Sequence, residues 1–357
     1  MVELLSIIKS VIDKDEKKYT ITPSLFDEAR RNNLLPFLTL VMDENTPPKV
    51  IKCLFDVYAN EIKRNNKQKE ALKEIKEIFD NNDITYMCPK GFVLKSLYEQ
   101  EELRFMTDID ILIDKENMEK ACSLLVSKGY EQKTKSDHDI GLVRKPYIFL
   151  ELHHLLISSS DYGGEFVSNS LKRVKFLPSS KEYVFEKRED EFIYLLFHLL
   201  KHYVSAGSGI KNYIDMYLYL KRYKEEMDFS YIHQAYKETK YEKECYFIEE
   251  VCLDLFSPKY DEFVRKVIGY GTYGTLESLY EKELEKAKGS KIKWLFSKAF
   301  PPFKSMKVLY PVLSKKLGFF LTPFCYLHRI GRLLFKDRKF TKKRLSYMKK
   351  KKKNTNE

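Results

Sequence analysis

Two aspartates lie two residues apart inside a short apolar run, Phe105–Ile113. Side chains alternate along a β-strand, so Asp108 and Asp110 would project from one face and the intervening isoleucines from the other. Two neighbouring carboxylates repel each other, and burying them unpaired costs free energy. A divalent cation compensates both charges, and the separation of alternate side chains, roughly 6–7 Å, suits one or two Mg²⁺ ions. The pattern predicts a magnesium site. A second acidic pair, Asp137 and Asp139, has a polar context that indicates a loop.

A lysine and a glycine upstream of the first pair could bind phosphate. Ile84–Met87 is typical of a strand and Phe92–Tyr98 of a helix, so Lys90 and Gly91 would stand at the helix N-terminus. Free backbone N–H groups and the helix dipole favour an anion there, and glycine allows a close approach of the backbone. The alternative is an ordinary turn between a strand and a helix.

Further side chains could complete this site. Arg104 and Thr107 lie just before the aspartates and could also reach phosphate oxygens. Downstream, the strand pattern of Tyr147–His153 places Glu151 on the polar face, where it would bind one metal ion and orient or deprotonate an attacking hydroxyl. His153 shares that face, but we favour a structural role for it because Mg²⁺ prefers oxygen ligands.

In this order, the motifs resemble those of the DNA polymerase β-type nucleotidyltransferase superfamily, and more closely those of its bacterial group of largely uncharacterised nucleotidyltransferases. That group has a Lys-Gly turn, an arginine before an Asp-Ile-Asp strand and a Glu-Leu-His strand. The matching segments are Lys90-Gly91, Arg104, Asp108-Ile109-Asp110 and Glu151-Leu152-His153. The resemblance spans most of the chain, with further matches at His198, His202, Ile214-Asp215 and, weakly, Tyr310-Pro311.

The resemblance implies an enzyme that moves a nucleoside monophosphate from a nucleoside triphosphate, with ATP expected, to an acceptor hydroxyl. The catalytic residues, which would also hold two Mg²⁺ ions, would be Asp108, Asp110 and Glu151. The nucleotide-binding residues would be Lys90, Gly91, Arg104 and Thr107. Two departures concern the phosphate loop: Phe92 replaces the usual glycine or serine, and the interval from Gly91 to Asp108 is longer than in the polymerases.

The elements around these motifs indicate a mixed α/β and α+β fold, with a nucleotidyltransferase-like core (a small mixed sheet with flanking helices) between N-terminal and C-terminal helical regions. We expect four segments: a helical subdomain (1–80), the catalytic core (82–180), a helical domain (181–285) and a basic, aromatic-rich extension (286–357). In the first segment, apolar spacing predicts helices at Leu25–Leu35 and Lys49–Asn81, separated by a break at Pro47–Pro48.

Within the core, we predict strands at 84–88, 108–114 and 147–154, a weaker strand within 140–145, and helices at 92–101 and 116–128. This order indicates an α/β sheet with right-handed crossovers. In the third segment, His198 and His202 lie one helical turn apart, a spacing that can bind zinc. Because the sequence shows no third ligand nearby, we favour a role in the core or at a hinge.

Composition restricts the class of protein. The 357 residues are 43% hydrophobic and 32% charged, which is typical of a globular protein with a charged surface. The six cysteines show no C-x-x-C spacing, which indicates free thiols in a reducing compartment. Neither a signal peptide nor a transmembrane run is evident, so we expect a cytoplasmic protein, with attachment to the inner membrane surface as an option.

The net charge of +12 divides unevenly along the chain. Residues 286–357 contain 22 of the 64 Lys and Arg residues but only 2 of the 52 Asp and Glu residues, a net charge of +20. Residues 1–285 keep 42 basic and 50 acidic residues, a net charge of −8. This division argues against a polymerase-like basic cleft through the main body, and it points to a basic element with a partner of its own.

Three interpretations of residues 286–353 stay open: a solvated basic helix, a peripheral membrane contact or a nucleic-acid contact. They bear on the alternative to an enzyme, a non-catalytic scaffold of the same fold that docks through its basic tail. A toxin-like transferase that modifies tRNA or protein is a third hypothesis. The sequence does not distinguish a small molecule, a glycan precursor, a protein or RNA as the acceptor.

Overall fold

A computed structural model describes residues 3–136, 138–157, 162–205 and 207–272, and then 279–280, 283–284, 287–288, 290–303, 306, 310–314 and 318–335. The chain divides into two units, residues 1–203 with 208–272 and residues 204–207 with 273–357. The division into four segments stays a prediction.

The N-terminal helices of the first unit are α1 (Glu3–Ile12), α2 (Pro23–Arg31), α3 (Leu35–Val41) and α4 (Pro48–Asn81). The long helix begins at the double proline as predicted. The single helix predicted over Leu25–Leu35 is wrong at its C-terminal end. Asn33 adopts a left-handed φ of +57°, so the chain leaves the α-helical conformation and starts α3 at Leu35.

The central sheet has five strands: β1 (Tyr86–Met87), β2 (Ile109–Ile113), β3 (Glu131–Lys135), β4 (Asp139–Arg144) and β5 (Ile148–His153). Their order is β1-β2-β5-β4-β3. β2 and β5 pair in parallel, whereas β1 with β2, β4 with β5 and β3 with β4 pair antiparallel. The prediction of a small mixed sheet is confirmed. Of the four strand pairings, only that of β2 with β5 is parallel and needs a crossover connection.

One face of the sheet packs on α4 and on α6 (Met118–Ser127). Ile109, Ile111 and Ile113 of β2 are buried in this core, as are Leu150 and Leu152 of β5. The opposite face of β5 carries Phe149, Glu151 and His153, as strand alternation predicts. The sheet therefore separates an apolar core from a polar face.

The helix predicted over 92–101 is wrong in length. The structure has a single turn, α5 (Phe92–Lys95), and a 3₁₀ turn at Glu101–Leu103. Polar side chains of α4 hold this segment instead: Asn65 accepts a hydrogen bond from Lys95 (2.8 Å) and donates one to Glu101 (3.0 Å). Such contacts between distant residues override local helix propensity.

The rest of the first unit is mainly helical. Its elements are α7 (Gly164–Ser170), β6 (Val174–Phe176), β7 (Tyr183–Phe185), α8 (Arg188–Ser205), α9 (Ile210–Tyr223), α10 (Phe229–Lys237), α11 (Glu242–Leu253) and α12 (Asp261–Tyr270). β6 and β7 form a separate antiparallel pair. α8 and α9 supply side chains that contact the segment between β1 and β2: His198 contacts Lys90, and Asp215 contacts Arg104.

In the second unit, the described helices include α13 (Lys291–Ala299) and α14 (Thr322–Leu334). They are in contact, and Arg329 of α14 donates a hydrogen bond from Nε to the carbonyl of Lys298 on α13 (2.6 Å). Among the residues that the structure describes, no helix combines the length and the apolar character needed to span a bilayer.

Candidate active site

The parallel pairing of β2 with β5 brings two acidic residues side by side. Asp110 stands directly opposite Glu151 in the register of the two strands. The side chain of Asp110 is 10% exposed, whereas that of Glu151 is 47% exposed. The site therefore combines a buried carboxylate, that of Asp110, with an exposed one, that of Glu151, which an incoming group can reach.

Lys90 connects the sheet with helix α8. Its ammonium lies 3.1 Å from Oδ2 of Asp110 and 3.1 Å from Nε2 of His198. Because an ammonium only donates hydrogen bonds, Nε2 of His198 is the acceptor. Burial lowers the pKa of His198 well below its usual value, and the charge of Lys90 lowers it further, so the imidazole is neutral.

The charges of Lys90 and Asp110 stabilise each other. Burial opposes the charge on each group, but the ion pair outweighs burial in both cases. The pKa of Lys90 lies above its usual value, and that of Asp110 lies well below its usual value. Lys90, which the sequence predicts to bind phosphate, thus contacts Asp110, which the sequence predicts to bind metal. A triphosphate and its metal ion would both be bound at this point.

His153 lies between the two carboxylates. Its Nε2 is 3.1 Å from Oδ1 of Asp110 and 3.3 Å from Oε2 of Glu151. Burial lowers its pKa, but the hydrogen bonds to these two carboxylates raise it to a net value of about 9. A cationic imidazole therefore compensates the acidic pair. The alternation of β5 places His153 on the face of Glu151, and this is the signal in the sequence for its position.

Asp110, Glu151 and His153 can together hold a metal ion, because one ligand atom from each lies within 4.8 Å of the others. Neighbouring ligands of an octahedral Mg²⁺ stand about 3 Å apart and opposite ligands about 4 Å apart, so small rotations suffice. The two carboxylates fit Mg²⁺, and the imidazole nitrogen suits several other divalent ions. Within the described parts of the chain, His198 and His202 belong to no such group of three.

Asp108 comes just before β2 and is partly buried. Burial raises its pKa, the charges of Asp110 and Glu151 raise it further, and the charge of Lys90 lowers it. The part of this shift that comes from Asp110 and Glu151 is repulsion between like charges, which a cation would relieve. The structure thus places Asp108 near the other two carboxylates, although it is not part of the three-residue group. Thr107 is its partly buried neighbour in the chain.

Arg104 forms a buried ion pair that the sequence did not predict. Its guanidinium donates to both carboxylate oxygens of Asp215 on α9, at 2.8 Å and 2.9 Å, and the two side chains are 6% and 4% exposed. Asp215 also accepts a hydrogen bond from Tyr98 (2.7 Å). A third donor of Arg104 contacts the carbonyl of Gly91 (3.3 Å). Arg104 thus ties the Gly91 turn to α9, and its contact with phosphate stays a prediction.

Gly91 begins α5 with φ +69° and ψ −97°, a conformation that favours glycine. A Cβ atom at this position would lie 3.0 Å from Sδ of Met106. The turn therefore requires glycine both for its backbone conformation and for its space. Because α5 has only one turn, its dipole would stabilise an anion less than the helix predicted from the sequence.

Lys211 is a cation of this region that sequence reasoning missed. It stands in the first turn of α9 and donates a hydrogen bond to the carbonyl of Phe105 (3.1 Å). Burial lowers its pKa to about 8, with Arg104 and Lys90 lowering it and the charges of Asp215 and Asp108 opposing the change. No local motif marks Lys211, since it reaches the site only through the packing of α9.

Comparisons with known proteins agree with the resemblance seen in the motifs. Neither a curated protein nor a solved structure matches the chain. The model of a family described as "Uncharacterised nucleotidyltransferase" matches residues 21–257, which include both acidic strands, the Lys90 turn and α9. This match covers well over half of the chain, and the chain therefore belongs to the uncharacterised nucleotidyltransferase family.

Proposed function

We propose that this protein is an Mg²⁺-dependent nucleotidyltransferase that moves a nucleoside monophosphate from a nucleoside triphosphate to an acceptor hydroxyl. The observation that carries the proposal is the register of Asp110 with Glu151 on parallel strands, with the Lys90 ammonium 3.1 Å from Asp110. Membership of the family supports a nucleotide substrate. ATP is the expected donor.

Asp108, Asp110 and Glu151 would hold the metal ions, two in number, with His153 as a further candidate ligand. When bound, Mg²⁺ would supply positive charge against the negative charge that develops on the phosphates. To bind a metal ion, Asp110 would give up a contact with Lys90 or with His153, because these two cations lie 3.1 Å from its two carboxylate oxygens.

The reaction forms a bond between the acceptor oxygen and the α-phosphorus, and it breaks the bond from that phosphorus to the bridging oxygen of pyrophosphate. Glu151 is the exposed member of the acidic pair, so we assign it the proton of the acceptor hydroxyl. Pyrophosphate leaves as the other product. A water-accessible carboxylate can release its proton before the next turnover.

Four residues would bind and position the triphosphate. Lys90 supplies a full positive charge at the carboxylates, and Gly91 allows the backbone to approach phosphate. Thr107 can donate its hydroxyl hydrogen bond from the segment before β2. For Arg104 we propose a positioning role, because its guanidinium is committed to Asp215 and to the carbonyl of Gly91.

Lys211 is a further candidate for contact with phosphate. Its pKa of about 8 reflects a site where burial and other cations disfavour its charge. A bound triphosphate would reverse this balance, because a nearby anion favours the charged ammonium.

Calorimetric titration of ATP, GTP, CTP and UTP, with and without Mg²⁺, tests the proposal. We expect Mg²⁺-dependent binding of at least one nucleotide by the wild type, and its loss in the double variant Asp108→Asn/Asp110→Asn. Asp56→Asn, at an exposed carboxylate on α4, is the matched control and should bind as the wild type does.

Full nucleotide binding by the double variant would refute the assigned metal ligands. Absence of binding to all four nucleotides by the wild type would favour the non-catalytic scaffold. Asp108→Asn should preserve the fold, because it removes repulsion from Asp110 and Glu151. Asp110→Asn also removes the ion pair with Lys90, so circular dichroism must show that the double variant is folded before its loss of binding is assigned to the metal ligands.

A further inference from the structure

Large hydrophobic side chains are unusually exposed in the second unit. Of the 18 large hydrophobic residues exposed in the described parts of the chain, 11 lie between Ile292 and Phe335. Single exposed hydrophobic residues are normal, but a concentration of them marks an interaction surface. Six of them have exposed fractions of 63–82%, and Phe320 is one of the six. We call the other five, which lie on α13, on α14 or directly after α14, the outward apolar residues: Ile292, Phe296, Phe324, Leu327 and Phe335.

Four of these residues lie on the outer faces of amphipathic helices. On α13, Ile292 and Phe296 are four residues apart and share a face. Trp294, on the other side of that helix, is 2% exposed and donates its indole N–H to Glu283 (2.8 Å). The helix is therefore anchored by one face while its outer face meets solvent.

Helix α14 repeats this arrangement. Phe324 and Leu327 are three residues apart and share a face of the helix. Phe335 follows directly after the last helical residue, Leu334, and is 82% exposed. Cys325 points to the other side and is 8% exposed. The two helices thus each present large apolar side chains to the outside.

The same part of the chain carries the positive charge. Residues 286–357 hold 22 basic and 2 acidic residues. Exposed apolar side chains and a net charge of +20 in one segment are complementary to a partner that offers both a hydrophobic phase and negative charge. An anionic lipid surface offers both, since its acyl boundary takes apolar side chains and its headgroups attract Lys and Arg.

Two other partners fit less well. Nucleic acid offers phosphate and stacking surfaces, but the aliphatic side chains of Ile292 and Leu327 cannot stack on bases as aromatic rings do. A second copy of this chain would cover the apolar residues, but it would bring two segments of net charge +20 together.

We propose that the second unit docks this protein on an anionic lipid surface, with the outward apolar residues inserted at the boundary between headgroups and acyl chains. The basic residues would hold the headgroups. The chain would then bind peripherally, and a salt-sensitive attraction would add to a salt-insensitive apolar contact.

Flotation of the full chain with lipid vesicles tests this proposal. We expect binding to vesicles of mixed phosphatidylglycerol and phosphatidylcholine, and much weaker binding to phosphatidylcholine alone. The double variant Phe324→Ser/Leu327→Ser should lower the partition coefficient on anionic vesicles at least about tenfold, because it removes two inserted side chains at constant charge. Phe55→Ser, at a residue 57% exposed on α4, should bind as the wild type does.

Equal binding to both kinds of vesicle, or unchanged binding by the Phe324/Leu327 variant, would overturn the proposal. Tighter binding to a single-stranded RNA oligonucleotide than to the anionic vesicles would overturn it in favour of nucleic acid. A dimer that this variant abolishes, without vesicle binding by the wild type, would overturn it in favour of a second copy. Circular dichroism checks that each variant is folded.

Discussion

The Arg104–Asp215 ion pair makes the sharpest prediction, because the sequence and the structure give Arg104 different roles. The resemblance implies a ligand of the triphosphate, whereas the structure has the guanidinium in two short hydrogen bonds to a carboxylate that is 4% exposed. If the ion pair is its main role, removing Arg104 chiefly lowers the free energy of unfolding. If phosphate is its main partner, removal chiefly lowers nucleotide affinity.

The size of the effect follows from the partners left behind. Removing one member of a buried pair costs about 3–5 kcal/mol. Arg104→Met should fall near the lower limit, because two partners of Asp215 remain. Tyr98 still donates its hydrogen bond to Asp215, and the nearby ammonium of Lys211 still attracts the carboxylate. Asp215→Asn should fall near the upper limit, since it leaves Arg104 and Lys211 without their shared anion.

The double variant Arg104→Met/Asp215→Asn removes both charges and should be more stable than the sum of the single changes predicts, by about 2–3 kcal/mol. Urea unfolding followed by circular dichroism measures these differences. The single tryptophan, Trp294, lies in the second unit, so its fluorescence does not report on the unit that contains the pair.

A result that would refute this reasoning is an Arg104→Met variant with the stability of the wild type. Nucleotide binding that falls by two orders of magnitude in that stable variant would establish Arg104 as a phosphate ligand. A double variant destabilised by the full sum of the two single changes would show that the two side chains are not coupled.

Two further predictions concern the triphosphate. Gly91→Ala should lower the free energy of unfolding by about 1–2 kcal/mol and also weaken nucleotide binding, because its Cβ would press on Met106. Gly129→Ala, at φ +85° with no atom within 4 Å of its Cβ, should cost stability without affecting binding; equal binding by both variants would contradict the assigned loop. For Lys211, a pKa of about 8 means that much of the ammonium has lost its proton at pH 8.5, so a triphosphate that raises this pKa should cause proton uptake. Calorimetry in buffers of different ionisation enthalpy should show this uptake in the wild type and less of it in Lys211→Arg, and equal uptake by the two would exclude the assignment.

The sequence predicted the parts of the site that depend on strand alternation. Asp110 alternates with buried isoleucines along β2, and Glu151 alternates with buried leucines along β5, so each carboxylate projects from the polar side of its strand. That alternation is a local pattern, which the sequence shows directly. β3 was missed because Glu131–Lys135 contains only polar and charged residues, all exposed, so it lacks the apolar alternation that marks a strand. Its pairing with β4 is stabilised by backbone hydrogen bonds that any sequence can make.

Contacts between distant residues were beyond prediction. Asp215 lies 111 residues after Arg104, and Lys211 lies 106 residues after the Phe105 carbonyl to which it donates. Both contacts depend on how α9 packs, and no spacing in the sequence encodes that packing. The resemblance included Ile214-Asp215 among the matching positions, which marked Asp215 without indicating its partner.

A few buried cations lie near the candidate site within a part of the chain whose net charge is negative. Residues 1–285 carry a net charge of −8, which argued against a basic cleft in the main body. Burial lowers the pKa values of Lys95 and Lys211, and the charge of Arg104 lowers them further, to about 8 in each case. Lys90 lowers the pKa of Lys211 as well. The part of these shifts that comes from Arg104 and Lys90 is repulsion between cations, which a tetra-anionic triphosphate would relieve. The net negative charge of residues 1–285 therefore does not preclude the proposed binding of a triphosphate at this site.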